Sequence, residues 1–140
     1  MKPVRTSLEV GFAGQELPPR YAGMRGREWR AIGAVDEFPF EDAQFDVVIM
    51  DGTAVSRTRV REAHRVLKSE GRLFFTVNEK TKGQDGYSLP DIYSIVRDGF
   101  NIIGVERPAW WFLRRSGRTL SICAIKKNWR TLTHRFRPYT

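Results

Sequence analysis

Apolar residues occur along the chain in short runs of two kinds, and their order predicts an alternation of strands and helices. Nearly continuous apolar runs bounded by glycine, proline or acidic residues are typical of strands buried on both faces of a sheet. Apolar residues three or four positions apart indicate amphipathic helices. The predicted strands cover residues 7–11, 29–35, 45–50, 73–77, 100–106 and 119–125, and the predicted helices lie within residues 56–68 and 88–99.

The first predicted helix has a start signal, an apolar stripe and a stop signal. Ser56 can cap its N-terminus, and Val60, Ala63 and Leu67 recur at helical spacing. Basic residues crowd its C-terminal half, where the helix dipole favours positive charge. Gly71 is the predicted stop.

The second predicted helix and the last two strands carry equally local signals. Ser88 can cap the helix, Pro90 and Asp91 suit its first turn, and Gly99 is the predicted stop. The connection over 110–117 is short enough to join the last two strands as an antiparallel hairpin.

The order of these elements predicts an α/β sandwich whose sheet is mostly parallel and closes with the hairpin. Between the first two strands, residues 15–28 contain two prolines and two glycines, which exclude a long helix there. We expect one compact domain over residues 1–127, followed by a basic tail over 128–140.

Length and composition narrow the class of protein. A chain of 140 residues suits one domain, and its single cysteine excludes an internal disulfide. No apolar stretch approaches the roughly 18 residues of a membrane span, and the N-terminus lacks the apolar block of a signal peptide. The expected location is therefore the cytoplasm.

The net charge of +8 is confined to the C-terminal part of the chain. No acidic residue follows Glu106, whereas nine of the 24 lysines and arginines do, so residues 1–106 carry 15 basic and 16 acidic residues. Any polyanion such as RNA is therefore expected at the basic end, over Arg107–Arg118 and the tail.

The tip of the predicted hairpin combines arginines with three consecutive aromatic residues, Trp110, Trp111 and Phe112. Such a segment can stack on unpaired bases, lie at a membrane interface or line an apolar acceptor pocket. It can equally cover the sheet or a dimer partner while the arginines stay in solvent. These alternatives remain open from the sequence.

Two segments of the chain resemble motifs of the class I methyltransferases that use S-adenosylmethionine, specifically the type 11-like group. Residues 37–48, EFPFEDAQFDVV, are similar to that family's Leu-Pro-Phe turn and the Phe-Asp-Val-Val of its fourth strand. Residues 61–73, REAHRVLKSEGRL, resemble its helix ending in Arg-Val-Leu-Lys-Pro-Gly-Gly and the fifth strand. The resemblance runs from about Ala31 to Lys127 and implies a three-layer, Rossmann-like methyltransferase sheet.

The resemblance also implies where S-adenosylmethionine would bind. In the family, the first strand ends in an acidic residue and a glycine-rich turn beside the methionine and ribose parts of the cofactor. Glu9, Gly11 and Gly14 fit a shortened version of this motif, although Ala13 stands where glycine is usual. Only about 14 residues separate Gly14 from Trp29, so about one βα unit, with its ribose-binding acid, is expected to be missing.

The other cofactor contacts implied by the resemblance follow the later strands. Asp36, Glu37 and Phe38 lie in the turn that the family places near the adenine, and Asp51 follows the predicted strand 45–50. Each has an ordinary alternative role, since acidic residues favour solvated turns and Asp51-Gly52 is a common turn pair.

Residues for the acceptor side are less defined. Thr53, Ser56, Asn78 and Glu79 follow predicted strands at the edge where open α/β sheets bind ligands, but no catalytic residue can be assigned. His64 is expected to be a residue of the helix surface or its packing and not a catalytic base. Cys123 is expected to be a small buried residue of a strand. No spacing of His, Cys and carboxylate residues indicates a metal site. The methyl acceptor is unknown.

Two further functions stay open beside a methyltransferase. The shortened motifs suit a non-catalytic interaction module, which a freed sheet edge could turn into a homodimer. The basic, aromatic end of the chain suits an accessory domain that binds RNA.

Overall fold

The computed structural model describes residues 5–12, 17, 21, 23–106 and 119–127. These residues form six strands and two α-helices. The strands are β1 (Thr6–Val10), β2 (Glu28–Ile32), β3 (Phe45–Met50), β4 (Leu67–Asn78), β5 (Phe100–Glu106) and β6 (Thr119–Lys126). The helices are α1 (Arg57–Val66) and α2 (Leu89–Val96), and a 3-10 turn covers Gly52–Ala54.

All six strands belong to one sheet, in the order β2-β1-β3-β4-β6-β5. β2, β1, β3 and β4 are mutually parallel, whereas β6 runs antiparallel to both β4 and β5. The mostly parallel α/β sheet with an antiparallel C-terminal pair is therefore confirmed. Among the described residues between β1 and β3, β2 is the one strand present, and the expected loss of a βα unit stays a prediction.

The strand β3 shows why the pattern of apolar residues defines this fold. Val48 and Met50 face the layer formed by α1 and α2, while Val47 and Ile49 face the opposite side, and all four are at most 1% exposed. A strand that is apolar on both faces must be covered on both sides. Its predicted bounds, residues 45–50, agree with the structure.

The two faces of the sheet are covered differently. On the first face, α1 and α2 contribute buried side chains to a core that extends from β1 to β6. On the second face, Phe12, Leu17 and Tyr21 pack against the apolar side chains of β3 and against Phe74. The sheet thus lies between two layers, as the three-layer prediction requires.

Both helices begin where the sequence predicts them to begin. The Ser56 hydroxyl accepts a hydrogen bond from the Arg59 amide at 3.1 Å. Ser88 and Asp91 form a reciprocal capping box, in which each side chain accepts a hydrogen bond from the other residue's amide. Hydroxyl and carboxylate caps satisfy the amides that a first helical turn leaves without partners.

The predicted end of the first helix is wrong. The helix ends at Val66, and β4 begins at Leu67, whose carbonyl oxygen accepts a hydrogen bond from Lys126 Nζ at 2.6 Å. Residues between Leu67 and Arg72 form an irregularity in the pairing with β3, and Glu70 adopts a φ of 65°. Gly71 therefore lies inside β4, because a long strand with a bulge has replaced the last helical turn.

The second helix and β2 are each shorter than the sequence predicts. The second helix ends at Val96, three residues before Gly99. β2 ends at Ile32, so residues 33–35 of the predicted strand belong to the following turn. The hairpin tip over 107–118 and the tail over 128–140 lie outside the described residues. Within the described part, no helix is long and apolar enough to cross a membrane.

Candidate functional site at the carboxyl edge of the sheet

The order of the strands in the sheet reverses at β1, which makes β1 the topological switch point of the sheet. β2 lies on one side of β1, and the chain then crosses back to place β3 on the other side. In open α/β sheets, the crevice at the carboxyl ends of strands beside such a switch point is the usual ligand site. The residues that directly follow β1, β2 and β3 therefore define the candidate site.

Gly11 follows β1 and has the backbone conformation that only glycine adopts easily, with φ at 89°. Its amide donates to the carbonyl oxygen of Ile32, the last residue of β2, at 2.9 Å. A β-carbon at this position would lie 2.8 Å from Ala54 Cβ and 3.2 Å from Asp51 Cβ. Gly11 thus allows the turn to pack tightly between the ends of β2 and β3. Gly14 lies outside the described residues.

Glu9 is buried in β1, only 2% exposed, and carries a charge that needs a partner. Arg25 supplies one through two hydrogen bonds, from Nε to Oε2 at 2.6 Å and from Nη2 to Oε1 at 2.8 Å. The guanidinium also stacks on the indole of Trp29, 4.0 Å from its ring centroid. Sequence reasoning missed Arg25, because an arginine in a loop of glycines and prolines resembles a solvated residue.

Asp51 follows β3 and is engaged by the backbone around it. Its amide donates to the carbonyl oxygen of Val10 at 2.9 Å, and its Oδ1 accepts from the Thr53 amide at 3.1 Å. The carboxylate thus caps the 3-10 turn that follows. Gly52 is required in the same turn, since a β-carbon there would lie 1.9 Å from the Thr76 carbonyl oxygen.

Asp36 lies in the turn after β2, and its side chain is 73% exposed. Arg59 Nε is 3.2 Å from its Oδ1. The same guanidinium donates to the carbonyl oxygens of Ala54 at 3.1 Å and Ala34 at 2.9 Å. Arg59 therefore ties the turn after β2 to the turn after β3, a role that its place in an amphipathic helix did not reveal.

Glu37 and Phe38 continue this turn in different environments. Glu37 is exposed, whereas Phe38 is 2% exposed and belongs to the core below α1. The amide of Phe38 donates to Glu62 Oε1 at 2.8 Å. Phe38 thus anchors the turn with its ring and its backbone.

Arg65 on α1 holds the remainder of this turn. Its guanidinium donates to the carbonyl oxygens of Phe38 at 2.9 Å and Phe40 at 2.7 Å, and to the Asp42 carboxylate at 3.0 Å. It also binds both oxygens of Glu62, at 2.8 and 3.0 Å. This bonding to Arg65 lowers the pKa of Glu62 and, in turn, raises the pKa of Arg65. We call the pair Glu62 and Arg65 the clamp.

A groove of about 1260 Å³ lies between the turn after β2 and α1. Arg30 of β2 and Arg61 of α1 line its two sides, and three of the residues predicted to contact the cofactor also line it: Asp36, Glu37 and Phe38. The structure therefore groups the predicted residues in three places. Gly11 and Asp51 meet at the strand ends, Asp36–Phe38 border the groove, and Glu9 faces the second side of the sheet with Arg25.

Polar groups on the second face form a chain that the sequence did not predict. The Tyr21 hydroxyl is hydrogen-bonded to Thr76 Oγ1, which lies 2.9 Å from Ser121 Oγ. Tyr21 comes from the segment before β2, whereas Thr76 and Ser121 come from the paired strands β4 and β6. Only the folded sheet brings the three hydroxyls together.

His64 and Cys123 lie apart from the strand ends that form the candidate site. His64 packs edge-on against Phe100, with ring centroids 5.5 Å apart, and burial lowers its pKa with help from the positive charge of Lys126. Burial raises the pKa of Cys123. Among the described residues, no three His, Cys, Asp or Glu side chains are grouped so that they could hold a metal ion.

Comparison with known proteins agrees with this architecture. Residues 19–75 match the family model described as a methyltransferase domain. No curated protein sequence matches the chain. The match begins after the Gly11 turn, so it covers Asp36, Glu37, Phe38 and Asp51 but not Glu9.

Three solved structures illustrate the similarity of fold. A methyltransferase from Methanosarcina mazei is 14% identical, with a TM-score of 0.60 over 90% of this chain and 94% of that one. The 1,6-didemethyltoxoflavin-N1-methyltransferase of Burkholderia thailandensis, solved with S-adenosylhomocysteine, is 18% identical, with a TM-score of 0.59 over 91% and 72%. A putative methyltransferase from Haloferax volcanii, in complex with the Trm112 activator, is 15% identical, with a TM-score of 0.64 over 89% and 83%.

The sheet order and the switch point at β1 define a Rossmann-like methyltransferase fold. The match to the methyltransferase-domain model agrees with this fold over residues 19–75. The identities to these structures are all below 20%, so the similarity concerns the fold and not the site residues.

Proposed function

We propose that the chain binds S-adenosylmethionine at the carboxyl edge of β1, β2 and β3 and acts as a methyltransferase on an acceptor still to be identified. The observation that carries this proposal is the position of the Gly11 turn. It closes β1 at the switch point, bonded to the end of β2 and packed on the turn after β3. This is where an open α/β sheet offers backbone groups to a ligand.

The residues around this turn suit different parts of the cofactor. Asp36 presents a mostly exposed carboxylate after β2, the strand beside β1, and can accept a hydrogen bond from the adenine amino group. Glu37 is exposed next to it, while Phe38 would shape the turn with its buried ring. Glu9 and Asp51 already have protein partners, so they would support the site by holding Arg25 and the 3-10 turn.

The chemistry of the cofactor sets what the protein must do. S-adenosylmethionine, when bound, supplies an activated methyl group for in-line displacement. The protein contributes mainly by holding the acceptor close to that methyl group in the correct orientation. Arg59 and the clamp fix the turns on either side of the candidate site, which restricts its movement and lowers the entropy lost on binding.

Isothermal titration with S-adenosylmethionine and S-adenosylhomocysteine tests this proposal. Asp36→Asn should weaken binding about tenfold or more, because a charge-assisted hydrogen bond is worth about 1.5–3 kcal/mol. Asp42→Asn is the matched control, since Asp42 is also exposed and paired with an arginine but lies farther along the turn. No binding at about 1 mM ligand, or equal weakening by both variants, would contradict the proposal.

The same experiments separate the enzyme from a non-catalytic relative. A methyltransferase releases S-adenosylhomocysteine only when its acceptor is present, so product formation against panels of small molecules, proteins and RNA measures activity. Cofactor binding without any methyl transfer would instead support the interaction module as the better description.

A further inference from the structure

The outer edge of β2 exposes backbone groups that another strand could pair with. On the side that faces β1, the Glu28 amide donates to the Arg5 carbonyl oxygen at 3.4 Å, and the Ile32 carbonyl oxygen accepts from the Gly11 amide. We call this side of β2 inward. Because backbone groups alternate along a parallel strand, those of Trp29 and Ala31 point away from β1. Within the described part of the chain, β2 is the last strand on this side of the sheet.

β2 also lacks two of the features that protect edge strands, proline and a bulge. It contains no proline, and its pairing with β1 runs from Thr6–Glu28 to Val10–Ile32 without a bulge. The opposite edge strand, β5, has a register shift between Ile102 and Gly104. Natural proteins protect edge strands with bulges, proline, short length or charged side chains. β2 is short and charged, but its two charges, Glu28 and Arg30, are of opposite sign, so they can pair with those of a second copy.

We propose that β2 is a homodimer interface, in which β2 of a second copy pairs antiparallel across a two-fold axis at Trp29. In this register Glu28 lies opposite the second copy's Arg30, and Arg30 lies opposite its Glu28. Trp29 meets its own counterpart, and Arg27 meets Ala31. Residues 27, 29 and 31 carry the outward backbone groups, so the pairing closes six main-chain hydrogen bonds.

Charge selects this register over its neighbours. A shift by two residues in one direction places Arg30 opposite Arg30, and a shift in the other direction places Glu28 opposite Glu28. Like charges that face each other across strands are destabilising, whereas opposite charges stabilise. Shifts by one residue would place inward-pointing backbone groups against outward-pointing ones and lose the hydrogen bonds.

The side chains near the edge suit this arrangement on both faces. Trp29 is 47% exposed on the second face, where Arg25 already stacks on it, so two indoles would meet with a cation above each. On the first face, Arg30 borders the open groove beside α1, which leaves room for the second copy's Glu28. An interface of one short strand is small, so we expect a dissociation constant on the order of 10 µM.

Sedimentation velocity and light scattering over a concentration series test the interface. The wild type should approach twice its mass of 16.2 kDa at about 100 µM. Glu28→Arg and Arg30→Glu should each raise the dissociation constant about tenfold or more, because each creates like-charge pairs. The double variant Glu28→Arg, Arg30→Glu should dimerise again. Lys82→Glu, an equal charge change in the exposed loop after β4, is the control.

A pair of proline variants tests the backbone pairing independently of charge. Ala31→Pro removes an outward amide, so it should abolish dimerisation and leave the monomer folded. Circular dichroism and thermal melting of Ala31→Pro check that the monomer is intact. Ile32→Pro removes an amide that bonds to β1, so it should lower the melting temperature instead.

Each outcome decides for or against the β2 interface. Dimerisation that weakens in both single charge variants and in Ala31→Pro, and recovers in the charge-swapped double variant, supports it. A wild type that stays monomeric at about 1 mM overturns it. A dimer that is insensitive to these variants, or a charge-swapped variant that stays monomeric, places the interface elsewhere and equally overturns it. Cofactor binding does not enter these measurements, so they are independent of the proposed function.

Discussion

Replacing Arg65 is the most informative single change to the fold around the candidate site. In the clamp, its guanidinium makes five hydrogen bonds, two to backbone carbonyl oxygens and three to carboxylate oxygens. Alanine at this position removes all of them and leaves Glu62 without its charge partner. Lysine keeps the charge but cannot reproduce the planar fork that reaches several acceptors at once.

The structure sets the expected magnitude. Buried hydrogen bonds to a charged group are worth about 1.5–3 kcal/mol each, but the Arg65 side chain is 31% exposed, so solvent screens its bonds. We therefore expect Arg65→Ala to lower the free energy of unfolding by about 2–3 kcal/mol in total, and Arg65→Lys by about 1 kcal/mol. At about 3 °C per kcal/mol for a domain of this size, the alanine variant should melt about 6–9 °C earlier.

Urea unfolding and thermal melting measure these effects, with Arg61→Ala as the control on the same helix. Hydrogen exchange adds a local measurement, since the Phe38 amide donates to Glu62 and should exchange faster once Arg65 no longer holds that carboxylate in place. The pKa of Glu62 should rise in the alanine variant, because bonding to Arg65 is the main cause of its depression. An alanine variant as stable as Arg61→Ala would refute the clamp as a structural element.

Two further predictions concern acid stability and the Gly11 turn. Since burial lowers the pKa of His64, the unfolded chain takes up this proton first, and the free energy of unfolding should fall as pH decreases below about 6.5. His64→Gln should flatten that decline in pH-dependent urea unfolding, and an unchanged slope would exclude His64 as its source. Gly11→Ala should cost about 2–4 kcal/mol in urea unfolding, because it combines a strained φ with overpacking against Ala54. Gly33→Ala, at the end of β2 with nothing within 4 Å, is the control, and equal costs for both variants would contradict this explanation.

The sequence predicted those parts of the fold whose causes are local. The bounds of β3 follow from an apolar run that must be buried on both faces, and the helix starts follow from Ser56 and the Ser88–Asp91 box. The β4 boundary depends on tertiary contacts instead. Leu67 fits the helical stripe, but the pairing with Phe45 and the hydrogen bond from Lys126 draw it into the sheet.

The candidate site was predictable only in part, for a related reason. Gly11 and Asp36 stand at strand ends that the apolar pattern locates, so their positions at the carboxyl edge could be expected. Arg25, Arg59 and Arg65 act through carbonyl and carboxylate groups 16 to 27 residues away in the chain. The sequence around an arginine does not indicate such distant partners, because arginine side chains are commonly exposed to solvent.

The buried pair of Glu9 and Arg25 limits how this chain can change during evolution. Loss of Arg25 alone would strand a carboxylate that is 2% exposed, at a cost of about 3 kcal/mol or more. Loss of Glu9 alone is milder, because Arg25 is 32% exposed and can turn to solvent. Sequence drift at these two positions is therefore directional: Glu9 can be replaced first at little cost, whereas replacing Arg25 first passes through a destabilised protein with an unpaired buried carboxylate.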